Sequence, residues 1–139
     1  MAKKLGNNLR LFVKAAGAET FAQPQGQGNL TINRSSSPID LGTKDTGQYG
    51  ASAPGPKTLS LAQSFIPDLP DTAYARMKSL DASGDTTIYQ VREKPFAEDN
   101  VVFECEMYTV FGNTDGNQNA AVGTSATLNA ATAPTVDEI

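Results

Sequence analysis

The chain of 139 residues has no histidine, no tryptophan and one cysteine, Cys105. Zinc-finger ligand sets, Cys/His and Ser/His nucleophiles and an intramolecular disulfide all need residues that are missing. Cys105 lies in VFECEMY, where a small buried core residue is the expected role rather than a reactive thiol. No run reaches the roughly eighteen apolar residues of a membrane span. The opening MAKKLGNNLRLFVKAAG starts basic, but its apolar run is short and broken by Arg10 and Lys14. It is a poor secretory signal, and the expectation is a soluble cytoplasmic chain. Basic charge is also short, with 11 Lys and Arg against 15 Asp and Glu, for a net −4. That is not the footprint of a chain that grips nucleic acid, though it suits a surface meant to stay clear of it.

What is present is β-pattern. In NLRLFVK, Leu9, Leu11 and Val13 alternate with Arg10, Phe12 and Lys14, the period of a half-buried strand. NLTIN is a second strand, continued in extended form by RSSSPIDLG, where Pro38 marks an edge or bulge. AAGAET reads as a turn and AQPQGQG as a connector. A long stretch rich in Gly, Ser, Thr and Pro, about 42–56, separates that strand from KTLSLAQSF. Loops of that length inside a compact domain are usually functional or disordered.

DLPDTAYARMKSLDASG changes period, with Ala73, Tyr74, Met77 and Leu80 at helical spacing. Asp68 or Asp71 can cap its start and Gly84 its end. TTIYQVRE, VVFECEMYTVF and AVGTSATLN restore the strand pattern, the last two joined across a turn containing Asp115-Gly116. AATAPTVDEI is a small-residue tail, about 129–139. The order is about four strands, one helix and three strands. The expected fold is mainly β, an antiparallel β-sandwich or barrel with one flanking α-helix, as one domain over 1–139.

The chemical motifs fail one by one. Asn113, Asp115, Asn117 and Asn119 alternate like calcium ligands, but the sixth and twelfth places hold Gln118 and Thr124 where an EF-hand needs Gly and Glu. GQGNLT lacks the third glycine of a dinucleotide loop and opens no helix. Glu104 and Glu106 share one face of a strand, with no His, Cys or metal cluster to complete an acid/base site. No catalytic constellation remains, no cofactor is expected, and the chain reads as a non-enzyme. In VVFECEMYTVF, Val101, Phe103, Cys105, Met107 and Phe111 form an apolar face, and Val102, Glu104, Glu106 and Tyr108 the opposite, solvated one.

IDLGTKDTG, a loop of about ten residues and KTLSLAQSFI together resemble the major tail-tube proteins of long-tailed, siphovirus-type bacteriophages and gene transfer agents. NLRLFVK, PDTAYARMKSL, TIYQVRE and VGTSATLNAATAPTV stand in the family's order over nearly the whole chain. TKDTG, Thr43 to Gly47, is the most specific match, while QYGASAPGPK lacks the aromatic/acidic WxE that often follows it. The resemblance implies the tail-tube fold, with hexameric rings stacking head to tail into a hollow virion tail that conducts DNA. It implies an inter-subunit loop carrying Gly42, Thr43, Lys44, Asp45, Thr46, Gly47, Gln48 and Tyr49, and subunit contacts at both termini, where Lys3, Lys4, Arg10, Asp137 and Glu138 lie. Implied partners are further copies of itself, the tape-measure, tail-terminator and distal tail proteins, and DNA in transit, with no membrane, assembled in the host cytoplasm.

Glu104 and Glu106 would then face either the lumen, as two rings of carboxylate, or the outside. Two other readings stand beside it. One is the tube subunit of a contractile tail or secretion machine. The other is a small ligand-binding β-barrel, with an apolar cavity and the loop as a lid.

Overall fold

The computed structural model describes residues 6–17, 19–45, 47 and 50–139. A 3-10 turn at Gly6–Asn8 leads into β1 (Leu9–Lys14), β2 (Phe21–Ala22), β3 (Gln27–Ser36), β4 (Ile39–Asp40), β5 (Ser52–Ala53) and β6 (Lys57–Phe65). The helix α1 (Thr72–Ser83) is followed by β7 (Thr86–Glu93), β8 (Val101–Asp115), β9 (Gly123–Ala130) and β10 (Val136–Asp137). All pairings described are antiparallel. One sheet runs in the order β2-β1-β7-β8-β9-β6-β3, with β10 on the edge of β8, and β4 and β5 form a separate hairpin.

The period-two pattern explains which face turns inward. Leu11 and Val13 on β1, Tyr89 and Val91 on β7, Phe103, Cys105 and Met107 on β8 and Leu61 and Leu128 on β6 and β9 are completely buried. They form one core cluster with the inward side of α1. The sheet curls until its far strand meets its near one. Gln27, at the head of β3, donates from Nε2 to the Leu11 carbonyl at 2.8 Å and accepts from the Leu11 N–H at 2.8 Å. Its amide stands in for a strand partner and satisfies both main-chain groups of Leu11. The sandwich-or-barrel expectation resolves as a single curled sheet with a helix on it.

The helix begins where a carboxylate can cap it. Asp71 is extended, and its Oδ1 accepts from the Ala73 N–H at 3.0 Å while Oδ2 accepts from Gln25 N–H at 2.7 Å. Gly84 ends it with φ 77°, a left-handed turn that lets its N–H reach the Leu80 carbonyl at 2.8 Å. Ala73, Tyr74, Met77 and Leu80, the four residues expected to face inward, are all buried. Tyr74 meets the rings of Phe65 and Phe111 edge-on at 5.7 and 5.5 Å.

Four local features go beyond or against the sequence pattern. AAGAETFAQPQGQG contains β2, which pairs with β1 through Val13↔Ala22 and Lys14↔Phe21. The long Gly/Ser/Thr/Pro stretch contains part of a hairpin, since Ile39↔Ala53 and Asp40↔Ser52 pair and the Leu41 N–H donates to Ala51 at 2.9 Å. The tail is docked on its own chain: β10 pairs with β8, Arg34 Nε donates to Asp137 Oδ2 at 3.2 Å, and Ile139 packs on the core. Val102, expected in solvent, is buried. It lies on the reverse face of the β1–β7–β8 region, where Arg92 is also buried between Phe12 at 4.5 Å and Phe21 at 5.5 Å. Aromatic faces and the Gln90 side-chain oxygen at 3.0 Å receive that guanidinium.

Candidate functional site

The strands β3, β6, β9 and β8 make a four-stranded layer with two unlike faces. Inward lie Ile32, Leu61, Phe65, Ala126, Leu128 and Phe111. Outward, the register sets residues in rows across all four strands. Thr31, Ala62, Thr127 and Val110 form one row, and Asn33, Ser60, Asn129 and Tyr108 the next. Ser35 and Thr58 lie beyond at one end, Ser64 and Ser125 at the other. All of these are exposed or half-buried, and none is charged. This is a broad neutral surface of hydroxyl and amide groups, with Tyr108 and Val110 its only large apolar side chains among the described residues.

The same layer has two open edges. β3 pairs with β6 on one side, and no described strand takes its other side. β8 is flanked by β7 only as far as the Thr86↔Tyr108 pair, so from Thr109 to Asp115 it has β9 on one side and no described strand on the other. Three antiparallel pairings separate β3 from β8, so the two open edges run in opposite directions. Copies placed side by side by a rotation can therefore join β8 to β3 antiparallel.

From one end of this layer, between Ser36 and Lys57, the chain leaves as an arm. Its neck is narrow: a Cβ on Gly55 would stand 1.9 Å from the Ser37 carbonyl oxygen, so only glycine fits there. Gly42, Thr43, Lys44, Asp45 and Gly47 lie on the arm, all exposed. Gly42 donates its N–H to Asp40 Oδ1 at 2.7 Å, and Asp45 its N–H to Thr43 Oγ1 at 3.3 Å, both local turn bonds. Thr46, Gln48 and Tyr49 fall outside the described residues.

Glu104 and Glu106 are half-buried, on the same side of β8 as Tyr108 and Val110. They lie beyond the arm end of the layer, where β8 runs between β7 and β10. Glu106 Oε1 accepts from Thr86 Oγ1 at 2.7 Å. Sequence reasoning missed Thr109, buried on the core side of β8 and hydrogen-bonded to the Tyr89 hydroxyl. Burial there pushes the Tyr89 phenol up to about 12. Burial, with the Glu106 charge adding to it, also pushes the Cys105 thiol up. Among the described residues no group of three or more His, Cys, Asp or Glu could hold a metal ion.

The backbone as a whole superposes on chains of solved assemblies. The tail of an empty gene transfer agent particle, refined with C6 symmetry, superposes with TM-score 0.79 at 14% identity, over 96% of this chain and 98% of that one. The chain has the tail-tube fold. The virion of a native gene transfer agent particle gives TM-score 0.75 at 15% identity, covering 95% of this chain and 97% of that one. The SPP1 tail tube gives 0.69 at 12%, covering 92% and 76%. No family model matches the sequence, and no curated protein matches it significantly. Tail-tube folds at such low identity share backbone course and little side-chain detail, so the chemistry of each surface must be read from this chain.

Proposed function

We propose that the chain is a non-catalytic structural subunit of a virion tail tube, six copies joining into a ring and rings stacking into a conduit for DNA. The observation that carries this reading is the pair of open, oppositely directed edges on one four-stranded layer. Edge-to-edge pairing satisfies the exposed main-chain groups that otherwise invite aggregation. Repeated by the six-fold symmetry of the gene transfer agent tail, four strands per copy make 24. At about 4.8 Å between strands and a tilt near 40°, such a barrel has a backbone diameter of about 48 Å.

The helix and β7 pack on the inward face of the layer, so the hydroxyl face becomes the lumen wall. Ser, Thr and Asn offer DNA no fixed cation to adhere to, so passage is not slowed by phosphate binding. Glu104 and Glu106 continue that face past the arm end, where they form acidic rings that repel phosphate. The tape-measure, tail-terminator and distal tail proteins are the partners this reading implies inside and at the ends of the tube. The ligand-binding alternative is not favoured, because large side chains fill the place of an apolar cavity: Tyr89, Phe103, Met107 and Leu128 are all completely buried.

Electron microscopy and sizing chromatography of the concentrated protein test the reading. Six-fold rings or tubes are expected. A protein that stays monomeric at every concentration overturns it.

A further inference from the structure

The chain is acidic, with 15 Asp and Glu against 11 Lys and Arg, yet cations gather on one part of its surface. On the reverse face of β1 and β7, away from the core, Arg10 and Arg92 stand directly opposite each other, and Phe12 and Gln90 form the next pair. Lys94, exposed, follows at the end of β7. Aromatic rings are interleaved with the two guanidinium groups. Arg10 lies over Phe96 at 5.7 Å, the Phe96 and Phe12 centroids are 6.3 Å apart, and Arg92 lies over both Phe12 and Phe21.

Arg92 is 6% exposed. Its Nε donates to Gln90 Oε1 and its Nη1 to the Phe96 carbonyl at 3.3 Å. Its Nη2 meets no acceptor among the described residues and reaches the surface, since the one fully buried side-chain polar atom without a partner is Gln63 Oε1. Neither arginine has a described carboxylate: the described ion pairs join Lys14 to Glu19 and Arg34 to Asp137. Glu104, which the register sets opposite Gln90, pairs with neither arginine. Like charges directly opposite on a sheet are destabilising, and a desolvated cation is costly without an anion. Ring faces and two neutral acceptors offset that cost in part, and a carboxylate on Nη2 would complete the site.

We propose that this face docks an acidic polypeptide, with Arg92 receiving a side-chain carboxylate at the centre and Arg10 and Lys94 flanking it. Nucleic acid binds through exposed cations along its phosphates and exposed rings under its bases. Here the central cation opens at one nitrogen and Phe12 is 7% exposed, which fits a single protruding oxyanion with apolar neighbours. Arginine and aromatic side chains are also the residues enriched at the centres of protein interfaces. The inward residues of β1 share one core with those of the hydroxyl-faced layer, so this face points away from the proposed lumen. The inference concerns one folded subunit and is tested apart from the tube reading.

Fluorescence anisotropy of a labelled peptide, Glu-Leu-Asp units in a Gly-Ser frame, measures binding to the full chain. A matching Gln-Leu-Asn peptide and labelled duplex DNA are the comparisons. The variants are Arg10→Gln/Lys94→Gln and Arg92→Lys, each checked for folding by circular dichroism. Wild type is expected to bind the acidic peptide and not the amide one. Both variants are expected to bind it about tenfold more weakly or worse, Arg92→Lys because lysine keeps the charge but loses the planar fork and the stacking. The double variant alters only half-buried or exposed positions, so it decides the matter even should Arg92→Lys fail to fold. Wild-type protein that ignores the acidic peptide, or binds the amide peptide equally, overturns the inference. So does a folded double variant of unchanged affinity, and so does duplex DNA bound more tightly than the acidic peptide, which would assign the face to nucleic acid.

Discussion

The two faces of the β3-β6-β9-β8 layer are made by alternate residues of the same strands, yet they answer to different demands. On β9, Ala126 and Leu128 are buried, while Ser125 and Thr127, which alternate with them, are exposed. The inward face holds the subunit together by removing apolar surface from water, so its residues are constrained in volume and shape. The outward face contributes little to that, so its residues are free of that constraint. One layer thus carries one face fixed by packing and one free of that constraint.

The sharpest way to break this contrast is to cut back adjacent residues of β9. Leu128→Ala should lower unfolding free energy by about 2–5 kcal/mol, through lost burial and the cavity left behind. Thr127→Ala should stay within about 0.5 kcal/mol of wild type. Urea denaturation monitored by circular dichroism measures both, and similar losses for the two would dissolve the distinction between the faces.

A smaller effect is expected at a hydroxyl pair buried on the inward face. Tyr89→Phe leaves the Thr109 hydroxyl without its partner and should cost about 1–3 kcal/mol. It also carries a pH signature. Tyr89 is raised to about 12 in the folded chain against 10.0 for the free group. Its contribution is therefore complete below pH 10 and falls as pH rises toward 12, because the unfolded chain loses the phenolic proton first. Denaturation midpoints measured across that range should decline more steeply in wild type than in Tyr89→Phe. Parallel curves would mean that the phenol is not held neutral by the fold.

The least effect on stability, and the most specific effect on function, belongs to the outward face. Ser60→Lys with Thr127→Lys should leave the denaturation midpoint nearly unchanged and still allow tubes to form. Duplex DNA should then bind those tubes with an affinity that falls steeply with added salt. A double variant whose tubes bind no more DNA than wild type would place this face away from the lumen.

Periodicity by itself located the regular elements that carry their own local signal. KTLSLAQSF and TTIYQVRE are strands end to end, and the Gly84 stop and the buried stripe Ala73, Tyr74, Met77 and Leu80 were legible, with the cap narrowed to Asp68 or Asp71, of which the fold uses Asp71. Each depends on residues within a turn or two of one another. The order of those elements also sufficed to suggest the tail-tube fold.

Tertiary structure alone decided the rest. Phe21–Ala22, Ile39–Asp40, Ser52–Ala53 and Val136–Asp137 are two-residue strands, too short to show a period and defined by partners elsewhere in the chain. The division of β8 between β7 and β9, which opens one edge at Thr109, follows from where each neighbour ends. Gln27 looks like any connector glutamine until the curl of the sheet brings Leu11 to it, 16 positions away in the chain. Val102 is buried although it alternates with the core residue Phe103, which alternation along one strand cannot foresee. Strand period specifies which residues share a face; only the packed chain specifies what each face meets, because burial depends on contacts between segments distant in sequence.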